Sequence, residues 1–397
     1  MPEPVIVAAA RSPIGRAFKG SMTGIRGDDL TAQIVQAAFD QLPGFDPSTL
    51  DDFIVGCGLP GGEQGFNIGR VVPVLLGLDG VPGTTVSRYC ASSLQSTRVA
   101  AHAIRAGEAH AIVSAGVELV SRTSATNPDD AALRNPRFGE TQPATDPWTD
   151  PRGRGLLPNI HVDMGITAEN VARMRGITRL EQDEFALRSQ QLAAKARLEG
   201  FWELDITPIT LPDGSVLSAD DGPRPSTTLE GLANLQPVFR EDGTVTAGNC
   251  CGLNDGAAAL VIMSDTRAAE LGVTPLARIV STAASGLSPE IMGLGPVEAS
   301  RRALALAGLT VSDIDQVEIN EAFAAQVIPS YRDLGFELDV VNVNGGAIAV
   351  GHPYGMTGAR ISTTLIHSLQ ARDAQFGLET MCVAGGMGMA MVLERLS

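Results

Sequence analysis

The sequence has 397 residues, 44% of them hydrophobic and 19% charged, and this length allows two or three domains with substantial cores. Its 45 acidic and 29 basic residues give a formal net charge of −16, so long-range repulsion argues against nucleic acid or an anionic membrane as a partner. The five cysteines show neither CxxC spacing nor disulfide density, and no apolar run reaches the roughly 18 residues of a membrane span. Because the N-terminal residues also lack a signal-peptide pattern, we expect a cytoplasmic protein.

The first 120 residues alternate between strand-like and helical patterns. Residues 5–8 and 50–55 are apolar and predict buried strands, whereas apolar residues at helical spacing over 30–39 predict a helix between them. A further strand is predicted at 113–116. Strands that alternate with helices are typical of βαβ units, so we expect an α/β fold with largely parallel sheets.

Cys90 follows a strand-like run and opens an apolar helical stretch. Unpaired N–H groups and the positive dipole end of a helix would favour the thiolate there and lower the thiol pKa. A lone cysteine more often fills core space, so Cys90 by itself is weak evidence for catalysis. The case is strengthened by His352, which lies in a glycine-rich stretch, and by Cys382, which precedes a glycine run.

Residues 121–247 differ in composition from the sequence on either side. The first part, 121–158, is polar and rich in Pro, Asp and Asn, which is typical of an extended excursion. Helical patterns follow, and Thr178 with Glu181 forms a capping-box pattern at the start of one of them. We predict that this segment forms an inserted loop domain that covers a ligand.

The pattern of the first half recurs about 270 residues later in the chain. Residues 278–281 repeat the first strand, 298–307 the first helix, and 314–319 the second strand with its acidic connector. This spacing places Cys90 and His352 at related strand-to-helix junctions. Two packed copies related by a pseudo-twofold axis would direct both junctions towards one cleft, which predicts that the two residues act together.

Several sequence blocks, in this order, resemble the thiolase family over essentially the whole chain. They are the block around Cys90 at 84–94, AGVE at 115–118, TAEN at 167–170, the segment 245–258, NEAFA at 320–324, NVNGGAIA at 342–349 and the glycine run after Cys382 at 381–389. The resemblance, most of all to bacterial acetyl-CoA acyltransferases, implies the thiolase fold, an α/β fold of duplicated βαβαβαββ halves with an inserted loop domain. The implied divisions are an N-terminal half of 1–120 plus 248–273, a loop domain of 121–247 and a C-terminal half of 274–397.

The resemblance also implies roles for individual residues. Cys90 would be the acylated nucleophile, His352 would activate it, and Cys382 would exchange protons with C2 of the substrate and with the incoming thiol. Asn320 would hold a water that, together with His352, forms one oxyanion hole. The backbone N–H groups of Cys90 and Ala384 would form the other.

Contacts with coenzyme A are implied at Arg224, near the adenine and phosphates, and at Cys251, Met164 and Phe323, near the pantetheine and acyl group. Coenzyme A would take part as a substrate, with no other cofactor and no metal, and the chain would assemble as a homodimer or homotetramer. The implied reaction is CoA-dependent cleavage of a 3-ketoacyl-CoA to acyl-CoA and acetyl-CoA, as in β-oxidation, or the reverse Claisen condensation.

Four residues depart from the commoner family pattern: Ser93, Asp163, Cys251 and Ala384. A hydroxyl at Ser93 would either narrow the acyl path or bond locally, and Ala384 would be strained if its φ were positive. The alternatives left open are a short-chain acetyl-CoA acetyltransferase, a decarboxylating ketoacyl synthase and a catalytically silent CoA-binding scaffold. Cys382 in its glycine run favours a thiolase over a synthase, and the few bulky residues of 121–158 favour a medium or long acyl chain.

Overall fold

We describe a computed structural model of the chain, which defines residues 1–123, 135–138 and 148–397. The elements of the N-terminal half come first: β1 (Pro4–Arg11), β2 (Gly15–Arg16), α1 (Gly27–Asp40), β3 (Asp52–Cys57), α2 (Ile68–Leu75), β4 (Gly83–Val86), α3 (Ser92–Ala106) and β5 (Ala111–Leu119). The insertion contains α4 (Met164–Arg175), α5 (Arg179–Leu198), α6 (Phe201–Asp205), β6 (Ile209–Thr210), β7 (Val216–Leu217) and α7 (Leu229–Ala233). The chain then returns through β8 (Asn254–Ser264) and α8 (Asp265–Leu271). The C-terminal half comprises β9 (Ala277–Gly286), α9 (Gly295–Ala307), β10 (Gln316–Ile319), α10 (Ala324–Leu334), α11 (Ala347–Val350), α12 (Thr357–Ala371), β11 (Phe376–Val383) and β12 (Met387–Arg395).

Both halves have the same strand order. In the described residues one ten-stranded sheet runs β10-β11-β12-β9-β1-β8-β5-β3-β4, and β2 pairs with β8. In the N-terminal half the order is β4-β3-β5-β8-β1. In the C-terminal half β10, β11, β12 and β9 correspond to β3, β5, β8 and β1, and a parallel bridge from Val317 to Val341 lies where β4 would be. A short antiparallel pairing of β1 with β9 joins the two halves. The duplication predicted from the sequence is therefore present in the topology.

The sheet is mixed, so the expectation of largely parallel sheets is wrong. β3 runs parallel to β4 and β5, and β10 runs parallel to β11. However, β8 lies antiparallel to β1 and β5, and β12 lies antiparallel to β9 and β11. The connection from β11 to β12 is only three residues long, and so short a connection permits only antiparallel neighbours. Strands buried on both faces have the same apolar composition in either direction, so the sequence pattern does not reveal it.

Helices α3 and α12 pack against each other and share one apolar core with strands of both halves. Nearly every residue of α12 is buried, which is expected for a helix at the centre of a large protein. A Cβ on Gly358 would lie 2.3 Å from the backbone nitrogen of Leu94, so glycine is required where the two helices approach. Cys90 and His352 lie just before these two helices, and the packing of the helices places the turn of Cys90 next to the loop that carries His352.

The insertion packs largely on the C-terminal half, where α4 and α5 contact α10. The predicted capping box at the start of α5 is confirmed, because Thr178 and Glu181 exchange the expected hydrogen bonds. Most of the predicted polar excursion falls on 124–134 and 139–147, which lie outside the described residues. In the described parts of the chain, no helix is long and apolar enough to cross a membrane.

Candidate active site

Cys90 lies in a sharp turn between β4 and α3. Tyr89 has a φ of 44°, a left-handed value that is uncommon for a large side chain, and a 3₁₀ turn over Tyr89–Ala91 leads into the helix. The Ser92 hydroxyl braces the turn, since it accepts the Arg88 N–H at 2.9 Å and donates to the Tyr89 carbonyl at 2.6 Å. Cys90 therefore precedes α3 and does not open it.

The pKa of the Cys90 thiol is raised to about 12, mainly by burial. The backbone N–H of Ala384 points towards the sulfur and lowers the pKa, but the nearby Glu118 carboxylate raises it further. The sequence predicted a shift in the opposite direction. That prediction is wrong because desolvation of the partly buried thiolate outweighs the N–H groups at the start of the helix. At neutral pH Cys90 is therefore a neutral thiol.

Two other thiols lie close to Cys90. Cys382, on β11, is fully buried, and the negative charge of a Cys90 thiolate would raise its pKa above the increase that burial already causes. Cys251 is affected in the same way by Cys250, Cys90 and Cys382. The structure thus brings together Cys90 and Cys382, which are 292 positions apart in the chain.

The hydrogen bonds of His352 define its tautomer. Thr357 Oγ1 donates its single hydrogen to the Pro353 carbonyl at 2.8 Å, so it accepts a hydrogen bond from His352 Nδ1 at 2.6 Å. Nε2 therefore carries the lone pair and accepts from the Asn320 side-chain amide at 3.3 Å. Burial, with the positive charge of Arg360, lowers the pKa of His352 to about 3, so the ring is neutral at physiological pH. A neutral imidazole with an unprotonated Nε2 can act as a base.

The His352 ring makes no direct hydrogen bond to Cys90 among the described residues. Its two ring nitrogens bond instead to Thr357 and Asn320. The Oδ1 atom of Asn320 is buried and has no partner among the described residues, although buried polar atoms are normally paired. Such an atom can hold a water beside the imidazole. The missing hydrogen bond from His352 to Cys90 does not exclude the proposed pairing, because catalytic hydrogen bonds are often long before substrate binds.

A cavity of about 270 Å³ opens beside the Cys90 sulfur. Its lining combines both halves and the insertion: Gly58, Leu59, Tyr89, Cys90, Ile160, His161, Val162, Asp163, Met164, Tyr354, Ala384 and Gly385. Of the predicted substrate contacts, Met164 lies in this lining. Phe323 is buried and packs edge-on against Phe239, with ring centroids 6.2 Å apart, and its proposed contact with substrate stays a prediction.

A second cavity of about 300 Å³ contains Arg224. Arg16 lines the same cavity, together with residues of the insertion and of α11. Among the described residues neither guanidinium has a carboxylate within salt-bridge distance, although the chain carries a net charge of −16. Two unpaired arginines at one cavity favour an anionic ligand. Cys250 lines this cavity, whereas Cys251 lies towards Cys90.

Comparison with known proteins identifies the family. The thiolase N-terminal domain model matches residues 4–266, and the thiolase C-terminal domain model matches residues 273–395. The chain belongs to the thiolase family. Its relatives include an Escherichia coli protein named acetyl-CoA acetyltransferase, 46% identical with 99% of both chains covered, and a Bacillus subtilis protein named 3-ketoacyl-CoA thiolase, 43% identical with 99% of this chain and all of the relative covered.

Solved thiolases have the same fold as this chain. The Bacillus anthracis acetyl-CoA acetyltransferase superposes with a TM-score of 0.88 at 40% identity, covering all of this chain and 99% of that one. Human mitochondrial 3-ketoacyl-CoA thiolase in complex with CoA also gives 0.88, at 37% identity, covering 99% of this chain and 98% of that one. The fold predicted from the sequence blocks is therefore confirmed.

Two of the departures from the commoner thiolase pattern now have a structural account. The Ser93 hydroxyl accepts the Ala359 N–H at 2.9 Å, so it bonds locally and does not line the cavity beside Cys90. In the turn after β11 the positive φ values belong to Gly385 and Gly386, and the φ of Ala384 is not positive. Alanine is consequently compatible with a backbone N–H directed at the Cys90 sulfur.

Sequence reasoning overlooked three residues of this thiolase site. Thr357 sets the His352 tautomer, Arg16 shares the cavity of Arg224, and Glu118 lies under the loops that line the cavity beside Cys90. Glu118 was visible only as part of the AGVE block, and nothing in its spacing reveals which backbone groups it contacts. In the described residues no group of three His, Cys, Asp or Glu side chains is placed to hold a metal ion.

Proposed function

We propose that this chain catalyses CoA-dependent cleavage of a 3-ketoacyl-CoA into acyl-CoA and acetyl-CoA, and the reverse condensation, through an acyl group on Cys90. The observation that carries the proposal is the arrangement of two thiols and a neutral histidine around one cavity. Cys90 lines the cavity, the Cys382 thiol lies close to Cys90, and His352 packs edge-on against Tyr354 of the same lining. A decarboxylating synthase would not need the second thiol, and a silent scaffold would need none of these groups.

In the proposed cleavage, the Cys90 sulfur attacks C3 of the substrate while His352 Nε2 takes the thiol proton. The C2–C3 bond breaks, C2 takes a proton from Cys382, and acetyl-CoA leaves with the acyl group retained on Cys90 as a thioester. The thiol of a second coenzyme A then gives its proton to Cys382 and attacks the thioester. The Cys90 thiolate is released and recovers its proton from His352, so all protons balance.

The protonation states of the resting site support this sequence. A neutral thiol needs a base when it attacks, and the unprotonated Nε2 of neutral His352 supplies one. After it takes the proton, Nε2 carries a hydrogen that can stabilise the developing oxyanion beside Asn320. The Ala384 N–H serves the oxygen at the Cys90 side, and one such donor contributes about 3 to 4 kcal/mol in known oxyanion holes.

We further propose that Arg224, with Arg16, holds the phosphate-bearing end of coenzyme A, which enters as a substrate without another cofactor or a metal. The distribution of unpaired positive charge in an acidic protein supports this orientation. Cys251, Met164 and Phe323 are proposed to lie along the path from this end to Cys90. A homodimer or homotetramer and a cytoplasmic location are also proposed.

The decisive experiment is incubation with acetyl-CoA, acid quench and peptide mapping of the acetyl mass shift. We expect the label on Cys90, its absence from Cys90→Ser, and its retention in Cys250→Ser, which keeps the nucleophile. An alkoxide is far harder to form than a thiolate at neutral pH, so Cys90→Ser loses most turnover. A label on Cys382 or Cys57 would contradict the proposal.

A short-chain acetyl-CoA acetyltransferase is the second candidate. The name of the 46% identical Escherichia coli relative favours it, whereas the names of other relatives favour 3-ketoacyl-CoA or β-ketoadipyl-CoA substrates. Both candidates share the same site chemistry and differ only in the length and polarity of the acyl group.

A further inference from the structure

The Glu118 carboxylate connects two loops that belong to different halves of the molecule. Glu118 lies near the end of β5 and is completely buried. Its Oε2 accepts the Gly58 N–H at 2.7 Å and the Gly355 N–H at 2.8 Å, and its Oε1 accepts the Leu59 N–H at 3.1 Å. Gly58 and Leu59 follow β3 in the N-terminal half, and Gly355 follows His352 in the C-terminal half.

Both loops form part of the reaction cavity. Gly58 and Leu59 line it beside Cys90, and Tyr354, immediately before Gly355, lines it from the opposite half. His352 is three residues before Gly355. The three hydrogen bonds to Glu118 therefore fix the separation between the wall next to Cys90 and the loop that carries His352.

The backbone around this carboxylate leaves little freedom to adjust. A Cβ on Gly58 would lie 2.7 Å from Glu118 Oε2, and a Cβ on Gly355 would lie 2.2 Å from the Val117 carbonyl oxygen. Glycine is therefore required at position 355, where a Cβ would displace backbone atoms, and at position 58 a Cβ would push the Glu118 carboxylate out of place. A carboxylate in this position sets how closely the two halves meet.

The neighbours of Glu118 favour its ionised form, while its burial opposes that form. All the hydrogen-bonding partners are donors, namely the three N–H groups and the more distant Cys57 thiol at 3.9 Å. Burial nevertheless raises the pKa of Glu118 to about 7, and the Asp255 carboxylate adds to the increase. The titratable groups that face it are Cys57 from β3, Cys90 from the turn before α3, Tyr354 from the His352 loop and Asp255 from β8.

We propose that Glu118 is a positioning residue, whose carboxylate holds the loop after β3 and the His352 loop in the arrangement that acylation of Cys90 requires. This role rests on the proposed function. Glu118 acts through the backbone of both loops and contacts neither the substrate nor the reacting sulfur. Protonation of Glu118 turns one of its acceptor oxygens into an O–H donor that faces backbone N–H groups. The hydrogen bonds that hold the two loops therefore weaken as the pH falls through about 7.

The test is single-turnover acetylation of Cys90 in Glu118→Gln as a function of pH. The amide keeps the size of the side chain but places an NH₂ group against backbone donors. We expect the acetylation rate to fall by about 10- to 100-fold, as small misplacements do, with the KM for coenzyme A changed by less than about twofold. The wild-type chain should show an acid limb near pH 7, and the variant should lack it.

The matched control is Glu169→Gln. Glu169 is equally buried and accepts N–H bonds from Thr244 and Val245, but these bonds connect only segments of the insertion. Its variant loses comparable hydrogen bonds, yet it should keep the wild-type acetylation rate and the acid limb. A wild-type rate and an intact acid limb in Glu118→Gln would overturn the proposed role.

Asp255→Asn provides a second test that leaves Glu118 in place. Removing this negative charge lowers the pKa of Glu118, so the acid limb should move to lower pH. An unmoved limb would contradict the role even if Glu118→Gln fails to fold. If the wild-type chain is acetylated and neither Glu118→Gln nor Asp255→Asn changes the rate or the acid limb, the role of Glu118 alone is refuted. If the wild-type chain is not acetylated, the proposed function and this role are refuted together.

Discussion

At the scale of single residues, the proposed reaction divides its proton chemistry between two groups of different character. His352 is neutral and has an unprotonated Nε2, whereas Cys382 is a buried thiol whose pKa is well above its ordinary value. A base of low pKa gives up its proton easily once the oxyanion collapses. A thiol of high pKa protonates a carbanion-like C2 and then recovers the proton from coenzyme A.

The two groups are expected to be separable by mutation. Cys382→Ala should nearly abolish deuterium exchange at C2 of acetyl-CoA while some acetylation of Cys90 remains. His352→Ala should slow acetylation itself by at least about 100-fold, the usual contribution of a positioned base. Exchange followed by NMR, together with mass mapping of Cys90, measures both effects. Wild-type C2 exchange in both variants would show that these roles are assigned wrongly.

At the scale of elements, the packing of helices α3 and α12 determines the relative positions of Cys90 and His352. The Ala359 N–H belongs to the first turn of α12, where N–H groups have no partner within the helix. The Ser93 hydroxyl, in the first turn of α3, accepts this N–H across the boundary between the halves. A residue that departs from the common thiolase pattern therefore adds a contact between the two catalytic helices.

Ser93→Ala should destabilise the fold without removing activity. It leaves a buried N–H unsatisfied, which costs about 1 to 3 kcal/mol of unfolding free energy, and kcat should change little because Ser93 does not line the cavity. Ser330→Ala is the control, since its hydroxyl donates to a carbonyl of its own helix and its loss orphans no N–H. Urea unfolding measures the difference, and equal destabilisation of the two variants would contradict this account.

At the scale of the whole molecule, we expect the proposed self-association at the β4 end of the described sheet. Among the described strands, β4 pairs only with β3 and leaves its other edge open. Next to this edge the chain exposes Phe66 (84%), Val74 (47%) and Leu75 (52%). An open strand edge beside apolar side chains favours pairing with another chain.

Phe66→Glu combined with Leu75→Glu should shift the protein towards the monomer, because two charges would be buried unpaired at the interface. Folding of the single chain should be unaffected, since both side chains are largely exposed in it. Leu198→Glu, at a position 89% exposed at the end of α5, is the control. Sedimentation velocity gives the oligomeric state, and an unchanged oligomer in the double variant would exclude this surface.

The acyl-length preference also depends on the whole molecule, because the cavity beside Cys90 is lined by both halves and the insertion. Leu59, Ile160 and Met164 give it apolar walls, and each buried methylene can add about 0.8 kcal/mol. We therefore expect kcat/KM to rise from four to at least eight acyl carbons in a thiolysis assay. A profile that peaks at four carbons and collapses at six would instead identify a short-chain acetyltransferase.

The sequence by itself determined several of the elements, the duplication and the candidates for the reacting residues. The elements and the duplication follow from local composition. The candidate residues Cys90, His352 and Cys382 follow from the residue types that the chemistry requires, and both kinds of information can be read from the sequence. The antiparallel direction of β8 and β12 could not be predicted, because strands buried on both faces have the same apolar composition in either direction. Only the tertiary structure decided that Cys90 is a neutral thiol, that Ser93 joins two helices and that Glu118 connects the two halves. The physical reason is that desolvation and backbone hydrogen bonding depend on which distant segments pack around a group, and spacing in the sequence carries no record of that packing.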